Sequence, residues 1–475
     1  MANKITIEPV TRIEGHAKVT LLLDEAGKVE SARMHVNEIR GFEKFCEGRM
    51  YFEMPAITQR ICGICPISHH LASAKACDAV AGVAVPRPAR LLRELMHMGQ
   101  FIQSHAMHFF HLAAPDLLLG MDADPATRNV LGIVASDPDL ALKAVWLRKY
   151  GQDIIARVGG RRIHPNAAVV GGINEPLTKE GRDVIAAGAK PAIKYLQLGV
   201  DLIRDYLAEH RSLAASFAAF PTGYMGLVDD QGKLALYDGK IRLVDADGAL
   251  LVDKHPPADY LSIIGERVED WSYLKFPYYK PQGYPAGVYR VGPLGRLNVA
   301  DSLGTPLADA EFARFKDLGR GRPVEGSLYY HYARMIEALY AAERVQQLVA
   351  DPDILSTDVL AQPPTALNPQ GVGVVEAPRG TLIHHYQVDE SGRLTGVNLI
   401  VSTGHNNPAM NRAVELVARE YVDGSKLREG MLNRVEAAIR CYDPCLSCST
   451  HAVGQMPLAV ELWGPEGLLD RQATE

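Results

Sequence analysis

Residues 443–451 read Asp-Pro-Cys-Leu-Ser-Cys-Ser-Thr-His, DPCLSCSTH, with two cysteines three apart and a histidine three further on. Another 24 residues, AVGQMPLAVELWGPEGLLDRQATE, follow that histidine. A second pair, Cys62 and Cys65, sits near the other end in RICGIC. Two Cys-x-x-Cys pairs offer four thiolates, a soft donor set that suits zinc, an iron-sulfur cluster or a transition metal such as nickel. A single such pair also serves thioredoxin-type redox chemistry, but there it opens a helix after the first strand of a small fold. Structural zinc usually draws its pairs from within a few tens of residues, because it nucleates a small fold. Here 379 residues lie between Cys65 and Cys445. Spacing alone leaves structural zinc, a catalytic or redox metal and two unrelated pairs open. If the four sulfurs form one site, the ends of the chain must meet across a common core.

Composition bounds the rest. The chain has 475 residues and 47% apolar content, enough for a large core in one big domain or in two or three smaller ones. Fifty basic residues against 56 acidic ones, a net charge of -6, give no cationic stripe or polybasic patch, which argues against nucleic acid as a partner. The start, MANKITIEPVTRIEGH, lacks a basic segment followed by an apolar one, and no run of 18 uncharged apolar residues occurs. Neither a signal peptide nor a membrane span is expected, and the chain reads as cytoplasmic. Seven unevenly spaced cysteines (46, 62, 65, 77, 441, 445 and 448) point to reduced thiols and metal or redox use.

Periodicity predicts a mainly helical α+β chain, one large helical domain with small peripheral sheets. Residues 4–36 alternate apolar and polar, as strands do, with EAGK as a hairpin turn. Stretches near 67–83, 88–120, 140–158 and 177–218 repeat apolar residues at three and four, the helical spacing. Strands are expected at about 232–253, around an Asp-Gly turn, and at 372–402; helices at 326–350, 409–421 and 429–441. Residues 254–325, rich in Gly, Pro and Tyr, read as a surface-wandering segment. No internal repeat, low-complexity linker or charge run interrupts the chain.

Six motifs then occur in order: EPVTRIEGH, RGFEKFCEG, RICGICPISHHLASAKACD, GGRRIHPNAAVVGGI, EAPRGTLIHHY and DPCLSCSTH. With them the chain resembles the large, catalytic subunit of nickel-iron hydrogenases over both ends and most of the middle. IRGFEKFCEGR and DPCLSCSTH are most similar to the soluble, bidirectional, NAD-linked type. A relative of this subunit in respiratory NADH dehydrogenases has lost the cysteine pairs, which are both present here.

The resemblance implies reversible heterolytic cleavage of H2 and assigns roles by motif. Cys62 and Cys445 become terminal nickel ligands, while Cys65 and Cys448 bridge nickel to an iron that carries carbon monoxide and two cyanides. Glu14 of TRIEGH matches the proton gate beside Cys445; as a bare residue it reads more readily as an outward position of an alternating strand, and the motif reverses that preference. Arg379 of EAPRG is expected over the open side of the metals, with Asp116 of HLAAPD orienting it, although an Arg-Asp pair is commonly an ordinary ion pair. Thr403 matches a hydrogen-bond donor to cyanide, Pro378 lines the same pocket, and His69 fits a donor to a bridging sulfur. Glu43, a backbone carbonyl near Leu399 and His451 match a magnesium site.

Histidines 97, 105, 108 and 111 read as core or subunit-contact residues, and Cys46, Cys77 and Cys441 as small buried side chains. No further cysteine motif or G-x-G-x-x-G fingerprint opening a helix is found, so no iron-sulfur cluster is expected in this chain and nicotinamide should bind elsewhere. Electrons would then leave through a small iron-sulfur subunit, then flavin and iron-sulfur subunits, to NAD. The resemblance also implies nickel-insertion factors and a maturation endopeptidase that cuts after His451 and removes residues 452–475, leaving 1–451 as the mature domain. The rival readings are a soluble hydrogenase with another acceptor, a hydrogen-sensing regulatory protein and a respiratory scaffold protein. The extension after His451 favours the enzyme, since sensors of this family generally lack a cleavable tail.

Overall fold

The alternating N-terminal stretches form strands Asn3–Ile7, Lys18–Leu23 and Val29–His35, an antiparallel sheet in chain order. Val19, Leu21, Leu23 and Met34 point inward and are buried, as period-two patterning requires. The computed structural model describes residues 3–450 and, beyond them, the paired strands Ala459–Gly464 and Gly467–Ala473. His451 and residues 452–458 fall outside the described residues, so the expected cleavage point does too.

Helices Pro66–Ala81, Arg87–Met107, Pro138–Gly159, Lys179–Glu209 and Tyr329–Ala350 make the body. Side-chain caps explain where two of them start. Asp137 accepts from the Leu140 N–H and Thr178 from the Gly181 N–H, caps that contribute about 1 kcal/mol each. The stretch read as one helix at 88–120 is interrupted by a π-helical turn, His108–Ala113, before Ala114–Leu118. Pro115 has no N–H to continue the regular ladder there.

Strands Gln370–Ala377, Gly380–Val388 and Leu394–Ile400 form a second antiparallel sheet. It packs directly on helix Pro66–Ala81. A Cβ at Gly371 or Gly373 would overlap the carbonyl oxygens of Ala76 and Ala72, so only glycine lets strand and helix backbones approach this closely. That contact locks the strand leading to Arg379 against the helix that Cys65 begins.

Residues 254–325 depart from the surface segment expected of them. They contain the hairpin Ile264–Glu269 and Ser272–Tyr279, the wholly buried helix Gly292–Val299 and the helix Pro306–Gly319. Gly, Pro and Tyr resemble loop composition, but the buried charges here find acceptors: Arg290 donates through Nη1 to the carbonyl of Glu325 (2.7 Å) and through Nη2 to that of Phe220 (2.6 Å). Helix Ser402–Tyr421 also begins earlier than the expected 409, because its polar first turns are buried rather than solvated. One hydrophobic core extends from Ile7 to Cys448 and includes both cysteine pairs.

Candidate metal centre

Cys65 stands at the N-cap of helix Pro66–Ala81, and Cys445 at the N-cap of the short helix Leu446–Ser449. The second segment is brought to the first by the N-terminal strand region. Glu14 pairs in parallel with Cys445, and its carbonyl accepts from the Leu446 N–H at 3.1 Å. Gly15 follows with φ +83°, and a Cβ there would lie 2.8 Å from the Leu446 Cβ. The glycine of TRIEGH thus answers to a left-handed backbone in close approach.

The four sulfurs converge. Sγ of Cys62 lies 3.3 Å from that of Cys445, Cys65 lies 3.4 Å from Cys448, and Cys445 lies 2.9 Å from Cys448. All four fall within 4.8 Å of one another and all are buried. These separations exceed a disulfide bond of about 2.05 Å, and each cysteine is free. Hydrogen bonds from Cys445 and its neighbours hold the Cys62 thiol well below its usual pKa, while burial pushes Cys445 and Cys448 well above theirs. Four sulfurs this close cannot all be anionic without a cation among them, and the set is chemically suited to a soft metal.

Arg379 covers the group. It is buried, its Nε donates to the Asp443 carbonyl at 2.6 Å and its Nη2 to Asp443 Oδ1 at 3.0 Å. Burial opposes its charge, but Asp443 and the nearby cysteines outweigh that and raise its pKa well above the usual value. Its Nη1, also buried, has no protein partner among the described residues. A free guanidinium donor beside four thiolates fits a metal centre that carries acceptor ligands of its own.

The expected Arg379–Asp116 pair is not formed. Asp116 instead accepts from Arg12 at 2.5 Å and pairs with the buried Arg440. Asp116 lies just past the π-helical turn His108–Ala113, and Arg12 also donates to the Leu112 carbonyl of that turn at 2.8 Å. Asp443, the first residue of DPCLSC, takes the place beside Arg379. Its adjacency to Cys445 was the available sequence signal. Burial pushes the Asp116 carboxyl up, and Arg440 and Arg12 overcome this to hold it below its ordinary value. Asp116→Ala is therefore expected to destabilise the chain by about 3–5 kcal/mol, since it removes the buried carboxylate that Arg12 and Arg440 share. Denaturant unfolding measures it, and an unmoved midpoint would refute the assignment.

The other expected residues lie as follows. Thr403 Oγ1 accepts from the Cys445 N–H at 2.9 Å, which leaves its own hydroxyl proton to donate elsewhere. Pro378 is buried immediately before Arg379, its carbonyl accepting from Arg296 at 3.1 Å. His69 Nδ1 meets His384 Nε2 at 3.1 Å, one turn along the helix from Cys65. Glu14 Oε2 accepts from the Ser447 N–H at 3.1 Å. Glu43 Oε1 accepts from the Leu399 N–H at 2.8 Å, while His451 lies outside the described residues. His97, His105 and His108 are buried on protein acceptors: the Glu376 carbonyl, Glu337 and the Arg440 carbonyl.

Fold and site together define a metalloprotein whose cysteine-held centre is built from both ends of a mainly helical chain. Comparison with known proteins gives the particular family. A family model described as nickel-dependent hydrogenase matches residues 40–136 and 228–451, and one described as HoxL-like matches residues 4–39. The chain is 47% identical over 490 residues to the beta subunit of the NAD-reducing hydrogenase HoxS of Cupriavidus necator, covering 100% of both. It is 48% identical over 417 residues to one subunit of the F420-non-reducing hydrogenase vhu of Methanocaldococcus jannaschii, covering 88% of this chain and 99% of the relative. A solved NAD+-reducing NiFe-hydrogenase in the H2-reduced state superposes with a TM-score of 0.92 at 46% identity, over 95% of this chain and all of the other. The Ni-Fe-Se hydrogenase of Desulfovibrio vulgaris Hildenborough matches with a TM-score of 0.76 at 25% identity, over the same 95% of this chain and all of its own. The chain belongs to the nickel-dependent hydrogenase family and is its catalytic subunit.

Proposed function

We propose that this chain cleaves and forms H2 at a nickel-iron pair that the thiolates of Cys62, Cys65, Cys445 and Cys448 would hold, Cys62 and Cys445 as terminal nickel ligands and Cys65 and Cys448 as the ligands common to both metals, and exchanges electrons with NAD through partner subunits. The convergence of four buried sulfurs within 4.8 Å carries the reading of the metals. The full-length similarity to an NAD-reducing relative carries that of the acceptor. When bound, the pair, with carbon monoxide and two cyanides on iron, polarises H2 for heterolytic cleavage.

The chain's own residues hold the centre and move the proton. The Ile64 and Cys65 N–H groups donate to Cys62 Sγ at 3.2 and 3.4 Å, which favours the thiolate. Arg379 and Thr403 offer donors to the diatomic ligands, and buried Pro378 closes the pocket wall. Cys445 Sγ takes the proton and the Glu14 carboxylate, tied to the same segment through Ser447, carries it away. Glu43, a carbonyl near Leu399 and His451 would hold Mg2+, whose positive charge would offset the Glu43 carboxylate.

Electrons leave toward a small iron-sulfur subunit. The loop between Cys62 and Cys65 reaches the surface at Gly63, and His164, whose Nε2 meets the Cys62 carbonyl at 3.1 Å, borders it with exposed Arg161 and Arg162. Flavin and iron-sulfur subunits pass them on to NAD in the cytoplasm, and no described helix is long and apolar enough to cross a membrane. The similarity to F420-non-reducing enzymes supports a second reading, a different acceptor. Purifying the chain with its partners should yield nickel, infrared bands of carbon monoxide and cyanide, and H2-dependent NAD+ reduction. Nickel and bands with H2 oxidation only by an artificial dye would favour the second reading, and absence of nickel would overturn both.

Residues 1–451 form the mature domain, and 452–475 are removed by a maturation endopeptidase after insertion factors load nickel. The family match ends at residue 451, and 95% of this chain covers the solved relative completely. Thr450, whose carbonyl accepts from the Arg40 N–H at 2.7 Å, is already seated against the N-terminal half, so the tail would have to thread out from the core. Mass spectrometry of nickel-loaded, active enzyme should find a chain ending at His451; a full-length chain with full activity would overturn the idea.

A further inference from the structure

We propose that Arg296, in a clamp completed by Ser402, positions Arg379 over the metal centre; this rests on the role of Arg379 given above. Arg379 occupies the tip of the hairpin between strands Gln370–Ala377 and Gly380–Val388, where Ala377 pairs with Gly380 and only Pro378 and Arg379 intervene. Such a tip holds its side chain no better than its own backbone is held. Arg296, from the buried helix Gly292–Val299, grips that backbone from one side.

A guanidinium has five N–H donors in a rigid fork, and Arg296 uses all of them. Its Nε donates to Glu337 Oε1 at 2.6 Å. Its Nη1 donates to Glu376 Oε2 at 2.7 Å and the Ala377 carbonyl at 2.8 Å. Its Nη2 donates to Glu337 Oε2 at 2.7 Å and the Pro378 carbonyl at 3.1 Å. Three of the five acceptors thus belong to the three residues directly before Arg379. On the other side the Ser402 hydroxyl donates to the Gly380 carbonyl at 2.7 Å. Glu337 is itself fixed by His105 at 3.0 Å and Glu376 by Thr381 at 2.9 Å, so the clamp stands on a rigid base.

The plainer role for Arg296, neutralising two buried carboxylates, needs only the bonds to Glu337 and Glu376. The bonds to the Ala377 and Pro378 carbonyls add nothing to charge balance, yet they fix the peptide planes that aim Arg379. Lysine would keep the charge, but with three donors it cannot satisfy five acceptors.

A double-substitution cycle on the assembled enzyme tests the coupling: unsubstituted, Arg296→Lys, Arg379→Lys and both together. H2 oxidation per nickel and the cyanide infrared bands are measured for each. Arg296→Lys should keep its nickel, shift the cyanide bands and lower the rate by about 10- to 100-fold, the scale of a displaced catalytic donor. In the Arg379→Lys background the same change should alter the rate by less than about 2-fold, because the group it aims is gone. Equal losses in both backgrounds, or unshifted bands at full nickel content, would overturn the proposal. Should Arg296→Lys fail to load nickel, the same cycle with Ser402→Ala decides by the same criteria. An unsubstituted enzyme without nickel or cyanide bands would remove the reading of the site itself, and this proposal with it.

Discussion

Cys448→Ser is expected to give a folded chain that carries no nickel and turns over H2 at least about 10³-fold more slowly than the unsubstituted enzyme. The substitution replaces a soft thiolate by a hard hydroxyl that stays protonated near neutral pH, so a four-sulfur set becomes three sulfurs and a poor donor. Cys448 lies 2.9 Å from Cys445 and 3.4 Å from Cys65, which makes it a shared corner of the group rather than an outlying member. The core of the chain is continuous without it, so circular dichroism should remain that of a folded protein. Cys46→Ala is the control. Burial pushes the Cys46 thiol up to about 11, it belongs to no sulfur group among the described residues, and its loss should leave nickel in place. Normal nickel and activity in Cys448→Ser would remove that residue from the site.

Glu14→Gln should leave nickel content unchanged and lower turnover by roughly 10²- to 10⁴-fold, the range that general acid-base groups contribute. Glutamine keeps the acceptor for the Ser447 N–H, bonded at 3.1 Å in the parent, and leaves intact the backbone pairing with Cys445. What it loses is a group that can take the proton from the Cys445 thiol and release it. Exchange of D2 with solvent protons should fall together with turnover, because both need that proton to leave. Full activity in the variant would exclude the role, and loss of nickel would assign Glu14 a structural one.

Much of this was legible from residue patterns. Strands Lys18–Leu23 and Val29–His35 follow from alternation, and helices Pro66–Ala81 and Tyr329–Ala350 from spacing at three and four. Such elements depend on neighbours within a turn or a ladder, and that information is local. The same holds for the four cysteines: their type and paired spacing declare a soft donor set, whatever the surrounding fold.

Other features were set by contacts far apart in sequence. Residues 254–325 have the composition of surface loops, yet Arg290 and Arg296 there are fully buried, because acceptors from 220 to 378 surround them. No local pattern marks a buried arginine as satisfied; only the assembled acceptors do. The partner of Arg379 shows the same limit. Asp116 and Asp443 are both aspartates of recognisable motifs, and the ion pairs of Asp116 with Arg12 and Arg440 decide between them. By itself the sequence determined the periodic elements and the thiolate donors, since propensity and ligand chemistry reside in single residues and near neighbours. That residues 62 and 445 share a site was implied by the motifs; the tertiary structure alone decided how closely their sulfurs approach, that Asp443 holds Arg379 and that Arg296 reaches its hairpin, because burial and hydrogen-bond geometry exist only between segments that folding has brought together.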